Sequence, residues 1–592
     1  MVIPTRSVIL IGTLLLSAIV GAQGGQRPLQ PAIDNAGPLD ADFDAFVENV
    51  LKQLHVPGFS IAVIDGRKVH SKGYGYATLP DNEATADTQY FTGSTTKAFT
   101  AAAAGLLVED DEAHPDVQWK SPINAFIRED FVLEDEYLTS HTTIEDALSH
   151  RTGLPRHDLM YGQTGDTVSS VVHRMRWLPM TAQPRTTWQY CNLMFAVITD
   201  LLESVTGIAL EDLLRDKFWK PLGMLSTSFT IPSDTSRLAT GYYWDADESE
   251  GHQFTHTGRY VSEPYLDIFP ISGAGATIST VNDYALWAGA WLHAATDSSK
   301  SANKSSPITR SLFNALATPR TIIQGFTNPG DPTDPFAFVT PITYALGWMT
   351  LKVLGEPLVT HDGGLTGFGT CLYLLPGLDY GVVTMGNTAG SSNVAGSIVA
   401  SRLLIQRLGL SDANATEVTD TLLSASQASL RPSAEKSRIQ RRARSRDLLH
   451  ASNLPLPGSL ADFAGIYTHP AYGILNLTLA TVTATASASG NTEVLTALLY
   501  PRAWPHKIQL SHVTDTVFAV SLFTPHGRGD IVSGANIVWE LTESDYTAIF
   551  KFGLDGEVVE TMGIELEDTM VEVARNKGPK AWKEGMLWYE KA

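Results

Sequence analysis

The sequence is poor in cysteine and in positive charge. Only two of its 592 residues are cysteines, Cys191 and Cys371, so a scaffold held by several disulfides is excluded. Their spacing leaves open whether they pair, and two buried free thiols are the simpler interpretation. Lysine and arginine number 42 against 63 aspartates and glutamates, which gives a net charge of −21. Such an acidic surface repels phosphate backbones, so we expect no nucleic-acid partner.

Beyond the N-terminus there is also no hydrophobic run typical of a membrane-spanning helix. Arg6 precedes the apolar run Val8–Val20, and the small residues Gly21 and Ala22 follow it. This pattern predicts a signal peptide over residues 1–22, cleaved near Ala22, and a secreted, extracellular protein without a membrane span in its mature form. A membrane anchor is the alternative, but the run is shorter than the roughly 20 residues that a spanning helix needs.

Potential glycosylation sites are consistent with secretion. Asn-x-Ser/Thr sequons occur at Asn303, Asn414 and Asn476. Such sequons are acceptors for N-linked sugars in secreted proteins. We therefore predict glycosylation at these positions, although the apolar N-terminal run carries most of the argument for secretion.

The length predicts more than one domain, since domains contain roughly 100–200 residues. Residues 38–410 have strand patterns at both ends and helical patterns between them, which predicts an α/β (α+β) domain with an antiparallel sheet packed on helices. Residues 411–457 are rich in Ser and Ala and include the basic run Lys436–Arg446, which predicts a linker with a basic helix. Proteolytic processing at Arg441–Arg442 is an alternative role for that run. Residues 458–592 alternate short strand patterns with turns, which is typical of a small antiparallel barrel or sandwich.

A Ser-x-x-Lys motif opens an Ala-rich segment, Thr95–Val108, that we predict to be a buried helix. Ser94 and Lys97 are three residues apart and therefore share one face of that helix. A serine hydroxyl is a poor nucleophile until a neighbouring group takes its proton. Burial of Lys97 would lower its pKa, and the helix N-terminus favours negative charge at Ser94. The motif therefore predicts Ser94 as nucleophile and Lys97 as its activator.

The same four-residue pattern occurs twice more, at Ser301–Lys304 and Ser433–Lys436. Both copies lie in polar, linker-like sequence without an apolar helix after them. We interpret both as chance matches, because the chemistry needs a desolvated lysine.

A Tyr-x-Asn motif supplies the next candidates, Tyr190 and Asn192. A tyrosine beside a lysine ammonium can act as a base, because nearby positive charge lowers the pKa of a phenol. In an extended segment the two side chains share a face. We therefore predict Tyr190 as a catalytic residue and the amide of Asn192 as a ligand for a substrate carbonyl. A buried structural tyrosine at a helix start is the alternative.

A His-x-Gly motif followed by a second glycine completes the candidate site at His361, Gly363 and Gly364. Glycines allow a strand edge to approach a ligand closely. We expect His361 to hydrogen-bond Tyr190 or the substrate, and the backbone N–H groups of Ser94 and Gly364 to form an oxyanion hole. A second His-x-Gly, at His256, lies in polar loop-like sequence and is the less favoured alternative.

Together these motifs resemble the serine β-lactamase and penicillin-binding-protein superfamily, most closely its class C-like branch of esterases and D-aminopeptidases. The resemblance covers about residues 40–410, with the motifs in the family's order. It implies a β-lactamase/transpeptidase-like antiparallel sheet flanked by helices, with an all-α subdomain. Weaker matches that we interpret as structural are Leu148–Pro155, Pro184–Asn192, Pro221–Met224, Gly273–Thr280 and Leu346–Trp348.

The C-terminal segment resembles a different known unit. Residues Leu460–Gly473 (LADFAGIYTHPAYG) are similar to the start of a lipocalin-like domain that follows some of these hydrolases. The resemblance implies a small β-barrel over residues 458–592. It does not indicate what that barrel does.

The chain departs from the family at one position that affects the substrate. Classical members carry Lys-Thr-Gly where this chain has His361-Asp362-Gly363. The family's lysine binds the carboxylate of penicillins and D-alanyl peptides, whereas a histidine is mostly neutral at pH 7. This departure disfavours efficient β-lactam hydrolysis and favours a substrate without an essential carboxylate.

The sequence thus predicts a serine hydrolase that cleaves an ester, amide or D-amino-acid peptide bond of a small-molecule or peptide substrate through an acyl-enzyme on Ser94. No cofactor and no metal are expected, since the chain has no His-Glu-x-x-His motif or Cys/His cluster of ligand spacing. One alternative is a transesterase or acyltransferase acting on a secreted metabolite. The other is a catalytically inactive binding protein on the same fold. The oligomeric state is left open.

Overall fold

The protein is represented by a computed structural model that describes residues 37–246, 257–296, 306–324, 341–430, 454–483, 491–553, 558–578 and 581–592. Within these residues no single helix has the length and apolar composition to cross a membrane, although Asn192–Thr206 and Leu210–Leu222, bent by 78°, meet that test as a pair. Predicted features that lie outside the described residues are the signal peptide 1–22, Asn303, His256, the Ser-x-x-Lys copies at 301–304 and 433–436, and the basic run 436–446.

A nine-stranded antiparallel sheet forms the centre of the first part of the described chain. The strands up to residue 386 are β1 (Gly58–Asp65), β2 (Lys68–Thr78), β3 (Asn82–Glu83), β4 (Tyr90–Phe91), β5 (Tyr242–Ala246), β6 (Gly258–Ser262), β7 (Ile278–Ser279), β8 (Thr321–Gln324), β9 (Ile342–Tyr344), β10 (Met349–Val353), β11 (Glu356–Leu365), β12 (Phe368–Leu375) and β13 (Tyr380–Gly386). The sheet order is β3-β2-β1-β13-β12-β11-β10-β9-β8. The first and last long strands along the chain, β1 and β13, are therefore neighbours in the sheet.

Between Thr96 and Leu222 the regular elements of the described chain are all helical, and further helices follow the sheet strands. The helices are α1 (Ala41–Gln53), α2 (Thr96–Glu109), α3 (Glu136–His141), α4 (Ile144–Leu148), α5 (Val168–Arg174), α6 (Asn192–Thr206), α7 (Leu210–Leu214), α8 (Lys220–Leu222), α9 (Ser272–Gly275), α10 (Val281–Thr296), α11 (Arg310–Ala317), α12 (Ser391–Arg407) and α13 (Asp412–Leu430). The predicted antiparallel sheet with flanking helices and an all-α part is confirmed.

The sheet is covered on both faces, which explains the uninterrupted apolar sequence of β1. Ala62 and Ile64 join the core that contains α2 and α10, whereas Ile61 and Val63 join the core that contains α1 and α12. Successive side chains of a strand point to opposite faces, so a strand buried on both sides is apolar at every position. The helix α2, which carries Lys97, lies in the same core as Ala62 and Ile64 of β1.

The helix α13 begins where we predicted a linker. Ala415, Val418 and Leu422 on this helix are buried in the same core as α1 and α12. The first part of residues 411–457 is thus packed onto the sheet domain, because its apolar residues recur at helical spacing. Residues 431–453 lie outside the described chain.

The C-terminal part is a closed barrel, as predicted. Eight antiparallel strands follow one another around it, and the first pairs with the last. Leu475, Leu477, Phe518 and Phe550 are at most 1% exposed and fill its interior. Closure leaves no exposed strand edge. The strands are β14 (Gly465–His469), β15 (Gly473–Thr483), β16 (Asn491–Leu499), β17 (His506–Thr514), β18 (Val517–His526), β19 (Val538–Phe552), β20 (Val559–Ile564) and β21 (Leu587–Lys591), and one helix, α14 (Asp568–Asn576), accompanies them.

The two cysteines and two of the three sequons lie within the described residues. Cys191 and Cys371 are both buried and unpaired, so the question left open by their spacing resolves in favour of free thiols. Asn414 lies half-buried on α13, and Asn476 is exposed on β15. Neither position tests whether a sugar is attached.

An ion pair joins the barrel to the sheet domain. His526 Nδ1 donates to Glu263 Oε1 at 2.5 Å, and its Nε2 donates to Glu540 Oε2 at 3.0 Å. Glu263 is only 2% exposed and belongs to the sheet domain. Burial lowers the pKa of His526, but the two carboxylates outweigh it and raise that pKa to about 9. The imidazolium is therefore the stable form at neutral pH.

We expect His526→Asn to destabilise the protein mainly at low pH. A histidine whose pKa is raised by folding stabilises fully below its unfolded pKa of about 6.5, and this contribution disappears as pH rises through about 9. It is at most about 3 kcal/mol. The difference in Tm between wild type and His526→Asn should therefore be largest at pH 6 and nearly absent at pH 10. The control is His512→Asn, an exposed barrel histidine. A Tm difference independent of pH would contradict the role of the charge.

Candidate active site

Ser94 lies in the 3-10 turn Gly93–Thr95, which leads directly into α2. Gly93 has a φ of +54°, a conformation that glycine adopts without steric cost. Thr96 Oγ1 donates to the Gly93 carbonyl at 2.7 Å and holds the turn. Ser94 is 8% exposed, so its hydroxyl lies at the start of a buried helix, largely shielded from water.

Lys97 is fully buried one turn further along. Its Nζ lies 3.1 Å from Ser94 Oγ, 2.8 Å from Asn192 Oδ1 and 2.7 Å from the Ala274 carbonyl oxygen. Burial lowers the pKa of Lys97 well below its usual value, and the neighbouring Arg156 lowers it further. The uncharged amine is thereby favoured.

The three contacts of Lys97 determine where its lone pair lies. A neutral amine has two N–H donors and one lone pair. The oxygens of Asn192 and Ala274 can only accept hydrogen bonds, so they take the two N–H donors. In the uncharged form the third position on Nζ, 3.1 Å from Ser94 Oγ, is the lone pair, and the Ser94 hydroxyl can then donate its proton to it. This geometry is that of a general base poised on a nucleophile.

The phenol of Tyr190 lies beside this pair. Its ring centroid is 4.8 Å from Lys97 Nζ and 5.1 Å from Arg156 Cζ. The hydroxyl is buried and makes no hydrogen bond of regular geometry with the described residues. Burial raises the pKa of Tyr190, while the nearby Ser94 hydroxyl and Arg156 oppose the rise. Tyr190 is therefore a neutral phenol at rest, and Lys97 is the better resting base.

Asn192 is the first residue of α6, and its amide is held inside the protein. Its Oδ1 accepts from Lys97, while its Nδ2 lies 3.3 Å from Tyr161 Oη and 3.4 Å from Asp158 Oδ1. We predicted that this amide would hold a substrate carbonyl. A substrate carbonyl would accept from Nδ2, whose two contacts are long, so the predicted role of Asn192 stays a prediction.

The glycines of β11 let this strand touch the Ser94 turn. A Cβ placed on Gly363 would lie 1.8 Å from the Thr92 carbonyl oxygen, and one on Gly93 would lie 2.7 Å from Gly364 N. No side chain fits at these two contacts. Gly363 is therefore a packing requirement, and the close contact brings the backbone N–H of Gly364 next to that of Ser94.

Asn393 on α12 fixes the orientation of that N–H. Its Nδ2 donates to the carbonyls of Gly363 at 2.8 Å and Thr370 at 3.0 Å. In a trans peptide the carbonyl and the following N–H point in opposite directions. The Gly364 N–H is thus turned away from Asn393 and towards the Ser94 turn, where an oxyanion hole would need it.

His361 is fully buried and is fully bonded within the protein. The Asp362 carbonyl, 2.7 Å from Nδ1, can only accept, so Nδ1 carries the proton and Nε2 accepts from Tyr344 Oη at 2.9 Å. Burial is the main cause that lowers the pKa of His361 to about 3. His361 therefore does not hydrogen-bond Tyr190, contrary to one of our expectations, and it brings no charge to the site.

Three residues at the centre of the site, Arg156, Asp158 and Tyr161, are not among the candidates that the sequence motifs supplied. Arg156 Nε donates to Asp158 Oδ2 at 2.7 Å, and Tyr161 Oη donates to Asp158 Oδ1 at 2.6 Å. Arg156 directly follows the stretch Leu148–Pro155, which we interpreted as structural. That stretch is the only sequence feature that points to Arg156, Asp158 and Tyr161, because these residues lie in no helical or strand pattern.

The fold is an antiparallel sheet flanked by helices, and the site places a serine and a buried lysine at a helix start beside a glycine-containing strand. This combination defines the class of serine β-lactamases and penicillin-binding proteins. A family model described as Beta-lactamase matches residues 43–404, which is more than half of the chain. The chain belongs to this family, and the resemblance stated from the sequence is confirmed.

Two fungal proteins are similar to much of the chain. The unguisins hydrolase ungD' of Aspergillus campestris is 42% identical over 382 residues, which cover 63% of this chain and 66% of that protein. The unguisins hydrolase ungD of Aspergillus violaceofuscus is 39% identical over 461 residues, covering 75% of this chain and 78% of that protein. The chain thus spans about two thirds or more of the length of these relatives.

The fold also matches a solved structure that includes nearly the whole chain. The octameric penicillin-binding protein homologue from Pyrococcus abyssi has a TM-score of 0.51 and 18% identity, and the match covers 89% of this chain and 98% of that one. At this identity the match supports the fold alone. Because the match covers 89% of this chain, it extends beyond the sheet domain.

We expect Gly363→Ala to destabilise the protein and Gly364→Ala to leave its stability nearly unchanged. A Cβ at Gly363 would lie 1.8 Å from Thr92 O, whereas one at Gly364 would find its nearest atom, Asn393 Oδ1, at 3.7 Å. Overpacking of this kind costs about 1–3 kcal/mol. Urea unfolding of both variants measures the difference. Equal stability of the two variants would contradict the contact between β11 and the Ser94 turn.

Proposed function

We propose that the protein is a secreted serine hydrolase that forms an acyl-enzyme on Ser94 and cleaves an ester, amide or D-amino-acid peptide bond. The observation that carries this proposal is the fully buried Lys97 Nζ, which lies 3.1 Å from Ser94 Oγ and is held there by the oxygens of Asn192 and Ala274. The family and the hydrolase names of the two fungal relatives agree with it.

In the proposed reaction the Ser94 oxygen attacks a substrate carbonyl while its proton passes to Lys97. The N–H groups of Ser94 and Gly364 stabilise the resulting oxyanion. The proton then moves to the leaving group, for which the neutral phenol of Tyr190 is a suitable relay, and the C–O or C–N bond breaks. Water repeats the sequence on the acyl-enzyme and releases an acid. No step in this sequence requires a metal or cofactor.

The relatives also suggest the substrate. Both fungal proteins are named as hydrolases of unguisins, so we propose unguisins or compounds related to them as the first candidates for this chain. The neutral, fully bonded His361 supports a substrate whose recognition does not depend on a carboxylate at this position. The same observation disfavours efficient β-lactam hydrolysis.

An alcohol or amine acceptor in place of water would make the protein a transesterase or acyltransferase, with the same acyl-enzyme. A catalytically inactive binding protein is the alternative from another class. The buried Lys97, held against Ser94, disfavours that alternative, because burying a lysine is costly unless its altered pKa is used.

We expect a fluorophosphonate probe to label the protein at Ser94. Labelling should be lost in Ser94→Ala, kept in Ser301→Ala, and about 10³-fold slower in Lys97→Ala, because loss of a general base costs about 10²–10⁴ in rate. Lys72→Ala, which removes an exposed lysine paired with Asp44, is the control for the lysine. Absence of labelling in the wild-type protein would favour the binding protein.

We expect His361→Lys to speed acylation by benzylpenicillin about tenfold, whereas the neutral His361→Gln should not. A lysine here would restore the cation that classical members use for the carboxylate, and a hydrogen bond to a charged group contributes about 1.5–3 kcal/mol. Stopped-flow acylation rates, with Tm as a check on folding, measure the effect. Equal rates in the two variants would mean that position 361 does not select for carboxylates.

A further inference from the structure

A loop without regular sheet structure carries three of the polar side chains at the active site. We call residues 155–163 the Arg156 loop. The Arg156 guanidinium lies over the Tyr190 ring, with 5.1 Å between Cζ and the ring centroid. Asp158 accepts from both Arg156 and Tyr161, which fixes the guanidinium on that ring. The loop therefore reaches the same Tyr190 ring that lies beside Lys97 Nζ.

The Arg156 loop is not self-supporting. Its regular structure is the single 3-10 turn Asp158–Met160. His157, just before that turn, has a φ of +48°, a left-handed conformation that a residue with a Cβ adopts at a cost of roughly 1–2 kcal/mol. A backbone in this state persists only where its surroundings hold it.

The barrel provides one of these supports through a buried hydrogen bond. His157 Nε2 lies 3.1 Å from the Pro179 carbonyl, which can only accept, so Nε2 carries the proton. The other nitrogen, Nδ1, then accepts from Tyr472 Oη at 2.7 Å. Tyr472 belongs to the barrel and is 1% exposed. The strained residue of the loop is thus held by a barrel side chain.

The segment between β16 and β17 of the barrel binds the loop backbone. Arg502 Nη1 donates to the Leu159 carbonyl at 2.5 Å, and the Ala503 N–H donates to the Gly162 carbonyl at 2.7 Å. Arg502 Nη2 also donates to the Tyr472 carbonyl at 2.7 Å, which ties the two supports together. The loop is therefore bonded to the barrel at its beginning, middle and end.

The apolar, filled interior of the barrel argues against a role in binding a ligand inside it. Leu475, Leu477, Phe518 and Phe550 fill it, so its inside is a packed core. The bonds to the Arg156 loop come instead from two connections between barrel strands, at Tyr472 between β14 and β15 and at Arg502 and Ala503 between β16 and β17.

We propose that the barrel is a positioning element of the active site, which holds the Arg156 loop so that the Arg156 guanidinium stays on the Tyr190 ring. This inference rests on the proposed acyl transfer at Ser94. A cation fixed beside the phenol stabilises the negative charge that develops on Tyr190 as a proton passes through it. Tyr472 and Arg502 act through the loop and are positioning residues.

The test uses the full-length protein with Tyr472→Phe and Arg502→Lys. Each removes bonds from the barrel to the loop, and Tyr467→Phe is the matched control. Tyr467 is also a buried barrel tyrosine, but its hydroxyl donates to Phe463 O inside the barrel at 2.9 Å. We measure the rate of Ser94 labelling by a fluorophosphonate probe, kcat and KM for p-nitrophenyl acetate, and Tm.

We expect Tyr472→Phe and Arg502→Lys to lower the labelling rate and kcat about tenfold with little change in KM, the size of effect of one lost hydrogen bond. Tyr467→Phe should keep the wild-type rates at a similar Tm. Arg156→Gln should show the same loss, and Arg156→Gln combined with Tyr472→Phe should lose no more than either alone, because both act on one interaction.

Two results would overturn the inference. One is wild-type labelling rates in both Tyr472→Phe and Arg502→Lys. The other is a loss that adds fully to that of Arg156→Gln or that Tyr467→Phe reproduces, since either would indicate general destabilisation. Failure of the wild-type protein to be labelled would instead count against the proposed function. The two failures are therefore distinguishable.

Discussion

The burial of Lys97 is the constraint on which the rest of the site depends. An amine removed from water loses its charge readily, but each of its N–H groups then needs an acceptor. Asn192 at the start of α6 and the Ala274 carbonyl in α9 supply those acceptors. Two elements distant in the chain, α6 and α9, must therefore meet α2, and the packing of these three helices places the acceptors.

A second constraint comes from the sheet, which must bring backbone donors close to Ser94. Gly363 allows β11 to contact the Ser94 turn, and Asn393 orients the peptide that follows. The neighbours of β11 hold it in place, since β10 pairs with its residues 356–360 and β12 with its residues 359–365. A donor on a central strand is positioned more accurately than one on a loop, which suits a hole that must fit an oxyanion.

The sequence predicted best what local spacing controls. Ser94 and Lys97 are one helical turn apart, so their contact follows from the helix alone, and the barrel follows from repeated short strands. The partners of His361 and Asn192 could not be predicted in the same way. The bond from Tyr344 to His361 depends on how β9 and β11 face each other across β10. The bond from Asn192 to Lys97 depends on the packing of two helices.

Arg156 shows most clearly why sequence patterns fail for part of the site. The loop around it has no helical or strand periodicity, and Tyr472, which supports it, is 315 residues from its partner His157. A pattern within one segment carries no information on such a contact. The position of Arg156 beside Tyr190 can therefore be recognised only in the folded structure, in which the barrel contacts the sheet domain. This dependence gives a physical reason for a hydrolase domain of this family to retain a barrel whose own interior is filled.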